Sequence, residues 1–292
     1  MLKKRFEAFP SFRDYLASLV AFAGGGRSGE DFDTYMTCLE SAAKSTRKQN
    51  LTDLIAMSAS LFKDNTFYKG ASVSWQSSSP KFTFAYDSIP KVVFGTMDLR
   101  CLAKGDSAVV HNTSGVYMPT RGIFYGKGGR ITWERAGLKS TATYAEWEHG
   151  YQVKVKSSEL EVDSVSFNDP YFEKTLFGKV TDKVLANVTE ENASYPRFES
   201  NDRRMKIREI VEGVDFEGGF TMQGAKLQGY GTKEEPAFLT FYRDKRPFII
   251  TKGLVFTIAP DKITSENVAL TMRLDQDSIY HPSVNLRFRK DK

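Results

Sequence analysis

The spacing of apolar residues changes along the chain, and the change divides it into two regions. Up to residue 64, apolar side chains recur three and four positions apart, which is the period of an amphipathic helix. From Phe67 onward apolar and polar residues alternate, which is typical of strands with one buried and one solvated face. The pattern therefore predicts a mainly β fold with a small N-terminal helical region.

Three helices are predicted in the first region. Gly24 to Gly26 end the first helix, and Ser28 and Asn50 are the predicted N-caps of the second and third. Short amphipathic helices persist only when their apolar faces are packed. We therefore predict that residues 1–64 form a helical cap or junction, packed on the first strands near residues 67–75. The side chains expected to be buried in this cap are Phe12, Leu16, Tyr35, Leu39, Ile55 and Phe62.

The second region contains a segment that recurs three times. Each copy opens with an aromatic residue beside glycine and closes with an Asp-Ser-apolar tripeptide, as in Asp106-Ser107-Ala108. Repeats of one supersecondary unit bury their apolar faces on one another. Residues 65–292 are therefore predicted to form a β-rich repeat domain, as a stacked β-solenoid or β-jellyroll-like array of three irregular units. The units span about 67–119, 121–170 and 218–288, with Trp75 and Trp133 at equivalent depth.

Composition and charge narrow the class of protein. A hydrophobic share of 40% and an aromatic share of 13% over 292 residues are sufficient for a folded core. The net charge of +5 comes from 41 basic and 36 acidic residues that are well mixed, so a nucleic-acid partner is not predicted. Mild attraction to anionic surfaces such as lipid headgroups is compatible with this charge. The apolar stretch at residues 15–23 is too short to span a bilayer, so no transmembrane segment is predicted in this piece.

No sequence motif in the chain is specific for a catalytic or binding function. Gly126 to Arg130 has the composition of a phosphate cradle, but it lacks the Walker spacing and enters a strand, which favours a turn or bulge. No nucleophile, base and orienting group can be assembled, so no catalytic residue, cofactor or metal site is predicted. A glycosidase pair would need two of the acids Glu134, Glu146, Glu148 and Asp163 in one cleft, and such acids are common in any charged sheet. The remaining candidates are isolated in sequence: His111, His149 and His281, and Cys38 and Cys101, whose pairing is left open.

Aromatic residues are concentrated in the middle of the chain. Trp133, Tyr144, Trp147 and Tyr151 would form a sugar-stacking platform if their rings were exposed on a sheet. If the same rings are buried, they are ordinary core residues. The sequence leaves both alternatives open.

A longer stretch carries a family resemblance. The string from Gly126-Lys127-Gly128-Gly129 to Trp133-Glu134-Arg135 resembles an internal segment of very long, poorly characterised exported proteins of Bacteroidetes. The resemblance extends from Trp75 to Asp277-Ser278-Ile279-Tyr280-His281-Pro282 and so covers nearly the whole chain. It implies a piece of a longer parent chain in the bacterial cell envelope, in the periplasm or at the outer surface, with a signal peptide upstream of Met1. It transfers no catalytic residue. A weaker similarity, in strand pattern alone, is to the β-jellyroll modules of lipopolysaccharide transport.

The Asp-Ser-apolar tripeptides have two interpretations. In the structural one, the aspartate caps backbone amides where a strand starts. In the other, they resemble the O-glycosylation acceptor sequence of exported Bacteroidetes proteins. That resemblance makes four serines candidates for modification: Ser88, Ser107, Ser164 and Ser278.

The function expected from these observations is that of a non-enzymatic structural or ligand-binding segment of a large envelope protein. One alternative is a carbohydrate-active enzyme or glycan-binding β-helix module. Another is a lipid-carrying β-jellyroll. The expected partners are the remainder of the parent chain and a glycan or a lipid.

Overall fold

The computed structural model describes residues 12–172, 174–259 and 262–289, and these form a mainly β protein. The described residues contain three α-helices, one short 3-10 helix and eighteen strands. The predicted mainly β class and N-terminal helical region are thus confirmed. The helices are α1 (Phe12–Gly24), α2 (Gly29–Lys44) and α3 (Lys48–Asp64).

The strands follow the helices without interruption by another α-helix in the described residues. The first nine are β1 (Thr66–Lys69), β2 (Val73–Ser77), β3 (Phe82–Asp87), β4 (Ile89–Ala103), β5 (Asp106–Met118), β6 (Ile123–Thr132), β7 (Tyr144–Lys154), β8 (Glu159–Asn168) and β9 (Leu176–Lys183). The other nine are β10 (Arg197–Ser200), β11 (Met205–Val211), β12 (Val214–Gln223), β13 (Lys226–Tyr230), β14 (Ala237–Arg243), β15 (Arg246–Gly253), β16 (Val255–Ala259), β17 (Lys262–Leu274) and β18 (Asp277–Arg289).

The chain folds into two compact units that do not follow a single cut in the sequence. The first unit contains the described residues of 1–131, 146–161 and 182–188, and the second contains those of 132–145, 162–181 and 189–292. Strands β6 to β9 therefore contribute residues to both units. The predicted division at residue 64 and the three repeat segments stay predictions.

The predicted helix caps have different outcomes. Ser28 is the N-cap of α2, and its hydroxyl accepts the Asp31 N–H at 3.1 Å while the Asp31 carboxylate accepts the Ser28 N–H at 3.2 Å. The Ser28 prediction is confirmed. The Asn50 prediction is wrong, because α3 starts earlier, with Arg47 at its N-cap position.

Asn50 is instead a buried polar residue inside α3. Its amide nitrogen donates to the Tyr86 hydroxyl at 3.1 Å and to the Ser88 carbonyl at 3.0 Å, and its amide oxygen accepts from the Thr120 hydroxyl at 3.2 Å. A buried amide is tolerated only when its donors and acceptors are satisfied. Asn50 therefore links α3 to the β3–β4 hairpin through hydrogen bonds. Its position in the sequence does not indicate this role.

The helices of the first unit pack on its strands. The Tyr35 ring of α2 lies 4.9 Å from the Phe84 ring of β3, and the Phe62 ring of α3 lies 4.9 Å from Tyr35. Tyr35, Leu39, Ile55 and Phe62 are buried as predicted. The prediction is wrong for Phe12 and Leu16, which are 53% and 45% exposed on α1. α1 already buries Ser18 and Phe22, so its other face is left toward solvent.

The first unit is organised around the long hairpin of β4 and β5. One half of β4 pairs with β3, the other half pairs with β2, and β5 pairs along its length. The hairpin turn has Lys104 at φ 52° and Gly105 at φ 82°, as a two-residue type I′ turn requires. Trp75 on β2 is buried, and its indole N–H donates to the Val155 carbonyl at 3.0 Å.

The second unit contains a closed ring of six strands. β12 pairs with β13 and β14, β13 pairs with β16, β14 pairs with β15, and β17 pairs with both β15 and β16. All six pairings are antiparallel. β12 and β17 each change pairing partner along their length, which requires a bend in the strand. β12 changes partner at Gly218-Gly219, and β17 changes partner at an irregular stretch around Asn267.

One hydrophobic cluster of the second unit is supplied mainly by the strands of this ring. The strands β12, β14, β16 and β17 bury side chains in one cluster, while β13 and β15 add the partly buried Leu227 and Ile249. The largest of the fully buried side chains are phenylalanines, namely Phe216, Phe220 and Phe256.

Left-handed residues inside strands recur in both units. Asn112 has φ 55° and its N–H donates to the Asp98 carboxylate at 3.1 Å. Asn267 also has φ 55°, and its N–H donates to the Asn285 side chain at 3.3 Å. Both lie where the register of a long hairpin shifts. The bulge leaves the backbone N–H of each asparagine without a partner in the strand ladder. A side-chain oxygen on the paired strand accepts that hydrogen bond instead.

Candidate functional site

The glycine-rich segment at Gly126 to Arg130 lies within β6 and is filled by aromatic rings. A Cβ atom at Gly126 would collide with the Tyr151 ring, and one at Gly129 would lie 2.9 Å from Cζ2 of Trp147. Gly128 and Gly129 have positive φ values of 64° and 152°. The glycines therefore provide space for the rings and for an irregular backbone. This geometry fits the bulge alternative.

Trp147 and Tyr151, two members of the predicted aromatic platform, belong to the first unit and are 6% and 7% exposed. Their ring centroids lie 5.4 Å apart at an edge-to-face angle of 88°. The Tyr151 hydroxyl is hydrogen-bonded to Thr113 at 2.8 Å, and burial raises the pKa of Tyr151. The burial of both rings favours the core alternative over a sugar-stacking surface.

Trp133 and Tyr144, the other two members, belong to the second unit. Trp133 is fully buried, with its ring 5.1 Å from Phe167, which in turn stacks on Phe198 at 4.2 Å. Tyr144 is half-buried. Trp133 is thus the start of a buried aromatic stack, which again favours the core alternative.

The acidic candidates do not converge on one cleft in either unit. Glu146 belongs to the first unit, where its carboxylate accepts from Nη2 of Arg130 at 2.6 Å and from Nε of Arg130 at 3.1 Å. Glu148 is exposed in the same unit, while Glu134 and Asp163 are exposed in the second. The Arg130–Glu146 pair is half-exposed and joins β6 to β7, so its observed contact is structural.

The histidines have separate local environments. Nδ1 of His111 lies 3.3 Å from the Asp98 carboxylate beside the bulge of the β4–β5 hairpin. His281 accepts the Ser283 N–H at 3.2 Å, and His149 is exposed. No group of three metal-ligating side chains occurs among the described residues.

The cysteines are both buried thiols, so the open question of their pairing is answered by the structure. Burial raises the pKa of Cys38 to about 12. Its thiol donates to the Ala85 carbonyl at 3.4 Å. A buried, protonated thiol of this kind is inert at neutral pH.

The candidate glycosylation serines lie at turns and strand irregularities. Ser88, Ser164 and Ser278 are exposed, and Ser107 is half-buried. Ser88 and Ser164 have positive φ values of 60° and 56°. Three of the tripeptides lie where a strand starts, as the structural interpretation expects, whereas Asp163-Ser164-Val165 lies inside β8; three of the four hydroxyls are accessible.

One cleft in the first unit surrounds Arg27. It has a volume of about 440 Å³ and includes the residues that precede α2 and the β3 start near Lys81. The Arg27 guanidinium lies 3.8 Å from the centroid of the Phe82 ring, and its Nη1 donates to the Pro80 carbonyl at 2.9 Å. Burial lowers the pKa of Arg27, and the nearby Asp31 carboxylate partly offsets this effect.

The Arg27 cleft could hold a small ligand with a polar or anionic group, since clefts of this size bind small molecules. Nε of Arg27 is buried and has no hydrogen-bond partner among the described residues. Lys81 adds a second cation at the rim. Sequence reasoning missed this cleft because its parts come from separate regions. The only local signal was a basic residue between the Gly24 to Gly26 helix stop and the Ser28 cap.

Among the described residues, no helix has the length and apolar character needed to cross a bilayer. Comparison of the chain with known proteins finds no matching family, no matching curated protein and no matching solved structure.

Proposed function

We propose that the chain is a non-enzymatic structural segment of a large bacterial envelope protein, located in the periplasm or at the outer surface. The observation that carries this proposal is that polar side chains form contacts between neighbouring strands. Glu146 binds Arg130 on the neighbouring strand, and Asp98 binds both His111 and the Asn112 amide. Side chains engaged in cross-strand contacts of this kind stabilise a sheet.

The interior of the second unit supports the same proposal. Phenylalanine side chains of the six-strand ring, including Phe216 and Phe256, occupy the core of that unit. A lipid carrier needs an apolar groove that is open to solvent. The filled core therefore favours a structural segment over the lipid-carrying β-jellyroll.

A ligand-binding role within the same envelope protein has one specific observation in its favour, the Arg27 cleft. The buried, unpartnered Nε of Arg27 is a donor that an anionic or carbonyl group could satisfy. For a glycan, this favours a ligand with acidic groups over neutral sugars stacked on Trp147 or Tyr151, whose rings are buried.

The stacked array of three repeats is also part of the proposal. Its support is that each predicted segment has one left-handed residue inside a strand, Asn112, Ser164 or Asn267, with φ between 55° and 56°, although Glu209 in β11, outside the segments, shares this feature. Aromatic rings over glycines also recur, as with Tyr151 over Gly126 and Tyr230 over Gly219. Shared irregularities are better support for a repeat than shared strands, since irregular positions are less frequent.

The experiment that tests the non-enzymatic proposal measures turnover directly. The purified chain is incubated with soluble polysaccharides and aryl glycosides, and released reducing ends are quantified. We expect no release. Release that is abolished by Glu134→Ala, Glu146→Ala or Glu148→Ala, with the circular dichroism spectrum retained, would overturn the proposal and establish the carbohydrate-active alternative.

Location and modification are tested in the native host. Fractionation followed by immunoblotting should place the protein in the envelope fraction, and a cytoplasmic location contradicts the proposal. Intact-mass analysis of the same material tests O-glycosylation. We expect a glycan mass that is reduced by Ser88→Ala, Ser164→Ala or Ser278→Ala, because these hydroxyls are exposed; an unmodified mass excludes it.

A further inference from the structure

Two strands of the second unit lie outside its closed ring of six strands. β11 pairs with β12 of the ring, and β18 pairs with β17. A strand inside a closed ring has no free edge, because it is hydrogen-bonded on both sides. The residues Asp277 to Ser283 of β18 are all exposed, as are Lys206, Arg208 and Glu209 of β11. β11 and β18 therefore give this unit two strand edges that face solvent.

The backbone groups on the solvent side of β18 follow from its hairpin with β17. The two strands are joined by the two-residue turn Asp275-Gln276, with Leu274 opposite Asp277. In such a hairpin the two residues beside the turn exchange backbone hydrogen bonds, and bonded residues then alternate along the strand. The backbone groups of the intervening residues point away from β17, and these residues are Ser278, Tyr280 and Pro282. We call this side of β18 its outer edge.

The side chains of this part of β18 favour strand pairing. Ile279 and Tyr280 are 55% and 64% exposed, and β-branched and aromatic residues are preferred in strands. An exposed strand edge with apolar side chains is a template on which another chain can pair. The outer edge of β18 would therefore promote self-association unless another feature interrupts it.

Pro282 interrupts the outer edge. Proline has no backbone N–H, so the third position of this edge offers no hydrogen-bond donor to an incoming strand. A bulge lies at the same place, where Pro282 and Ser283 together lie opposite Ala269 alone. The Ser283 N–H in this bulge donates to Nδ1 of His281 at 3.2 Å. Two successive residues of β18 thus have no free amide for a further strand.

The other free edge is interrupted in a similar way. The register between β11 and β12 shifts between Ile207 and Val211, so that three residues of β11 lie opposite Asp215 alone. The middle one, Glu209, has φ 50°, and its N–H donates to the Asp215 carboxylate at 2.9 Å. A bent strand with an internally bonded amide is a poor template for pairing.

We propose that Pro282 and the adjoining bulge block the addition of a strand to the outer edge of β18, so that the unit does not extend its sheet into another copy of the chain. Bulges and prolines on edge strands have this effect in β-sheet proteins. Copies of the chain, or other parts of a parent chain, then contact this unit through side chains and not through a shared sheet. The inference is independent of the proposed envelope location.

The first experiment restores the missing donor. Pro282→Thr adds an N–H and a side chain that favours strands, at a position that is exposed. Two outer edges can then pair antiparallel about a twofold axis. By sedimentation velocity, we expect the variant to dimerise about tenfold or more tightly than the unmodified chain. Equal association of the two proteins overturns the proposal.

Two further variants show whether the dimer forms through β18. Pro170→Thr is the matched control, because it removes an exposed proline from a turn outside the strands and should leave association unchanged. Tyr280→Lys, added to Pro282→Thr, places a charge on the outer edge and should restore the monomer. Equal association of Pro170→Thr and Pro282→Thr, or association that persists with Tyr280→Lys, overturns the assignment to this edge.

Hydrogen exchange of the unmodified chain keeps the proposal testable if Pro282→Thr does not fold. The Ser278 and Tyr280 amides point to the outer edge and should exchange about tenfold or more faster than the Ile279 amide, which is bonded to β17. Equal protection of all three amides would mean that the outer edge is already paired, which contradicts the proposal.

Discussion

The two units close their hydrophobic cores in different ways. In the first unit, the apolar face of the sheet around β3 and β4 is covered by α2 and α3, through Tyr35 and Phe62. In the second unit, six strands close on themselves in a hydrogen-bonded ring, and one large hydrophobic cluster lies among them. A sheet with an open face needs a second layer, whereas a closed ring supplies its own.

The difference shows that similar hairpins can serve different core designs. β4–β5 and β17–β18 are both long hairpins with a left-handed asparagine at a register shift. β4 buries alternate residues on the covered face, while the first seven residues of β18, Asp277 to Ser283, are all exposed. The geometry of each hairpin is therefore set by its own residues. The rest of the unit decides whether the hairpin is buried or exposed.

The largest effects are expected from removing one core ring in each unit. Phe62→Ala in the first unit and Phe216→Ala in the second should each lower the free energy of unfolding by about 3–5 kcal/mol. Hydrogen exchange should show loss of protection in α1 to α3 and β3 for Phe62→Ala, and in the six-strand ring for Phe216→Ala. The control Val20→Ala, at a 73% exposed position, should change stability by about 0.5 kcal/mol or less. Identical exchange patterns in the two core variants would remove the distinction between the cores.

A smaller effect is expected where a ring covers a glycine. Gly126→Ala forces a methyl group into the Tyr151 ring and should destabilise the protein by about 1–3 kcal/mol, measured as a fall in the denaturant midpoint. The matched control is Gly95→Ala, because nothing lies within 4 Å of its added Cβ. Equal midpoints for the two variants would show that the ring contact has no energetic weight.

Tyr35 should contribute to the change of the free energy of unfolding with pH. Burial raises the pKa of Tyr35 from its ordinary value of 10.0 to about 12, so its stabilising contribution is complete below pH 10 and is lost as pH rises toward 12. Tyr35→Phe loses the Ser18 hydrogen bond and should be about 1 kcal/mol less stable at pH 8.

At pH 11 this difference should disappear or change sign, because the unfolded wild-type chain gains stability by ionising its tyrosine. Thermal melts at both pH values measure it. A constant difference across this range would contradict the buried environment of Tyr35.

The smallest effect is expected at the ion pair between β6 and β7. Glu146→Gln keeps the shape of the side chain but removes its charge, and both partners are about two-fifths exposed. Such pairs contribute about 0–1 kcal/mol, and less at high salt. Chemical denaturation at low and high salt measures this. A loss greater than about 2 kcal/mol would mean that Glu146 has a role beyond the strand contact.

The candidate site was only partly predictable. The Gly126 to Arg130 segment was interpreted as a turn or bulge, because its glycines lack the spacing of a phosphate loop, and it lies inside β6 with positive φ values at Gly128 and Gly129. Whether Trp133, Trp147 and Tyr151 are buried was open, since ring exposure depends on what packs over the strand. The Arg27 cleft was missed because Phe82 and Pro80 reach Arg27 across more than fifty residues of chain.

By itself, the sequence determined the local structure of this protein. Helical and alternating apolar spacing predicted the mainly β fold and the N-terminal helices, and the Ser28 cap followed from a local hydrogen-bonding preference. Only the tertiary structure decided that Asn50 is a buried link, that Leu16 is exposed and that six strands close into a ring. Periodicity reports which face of an element is apolar, but the partner that covers this face comes from distant residues, and its identity is a property of the whole packing arrangement.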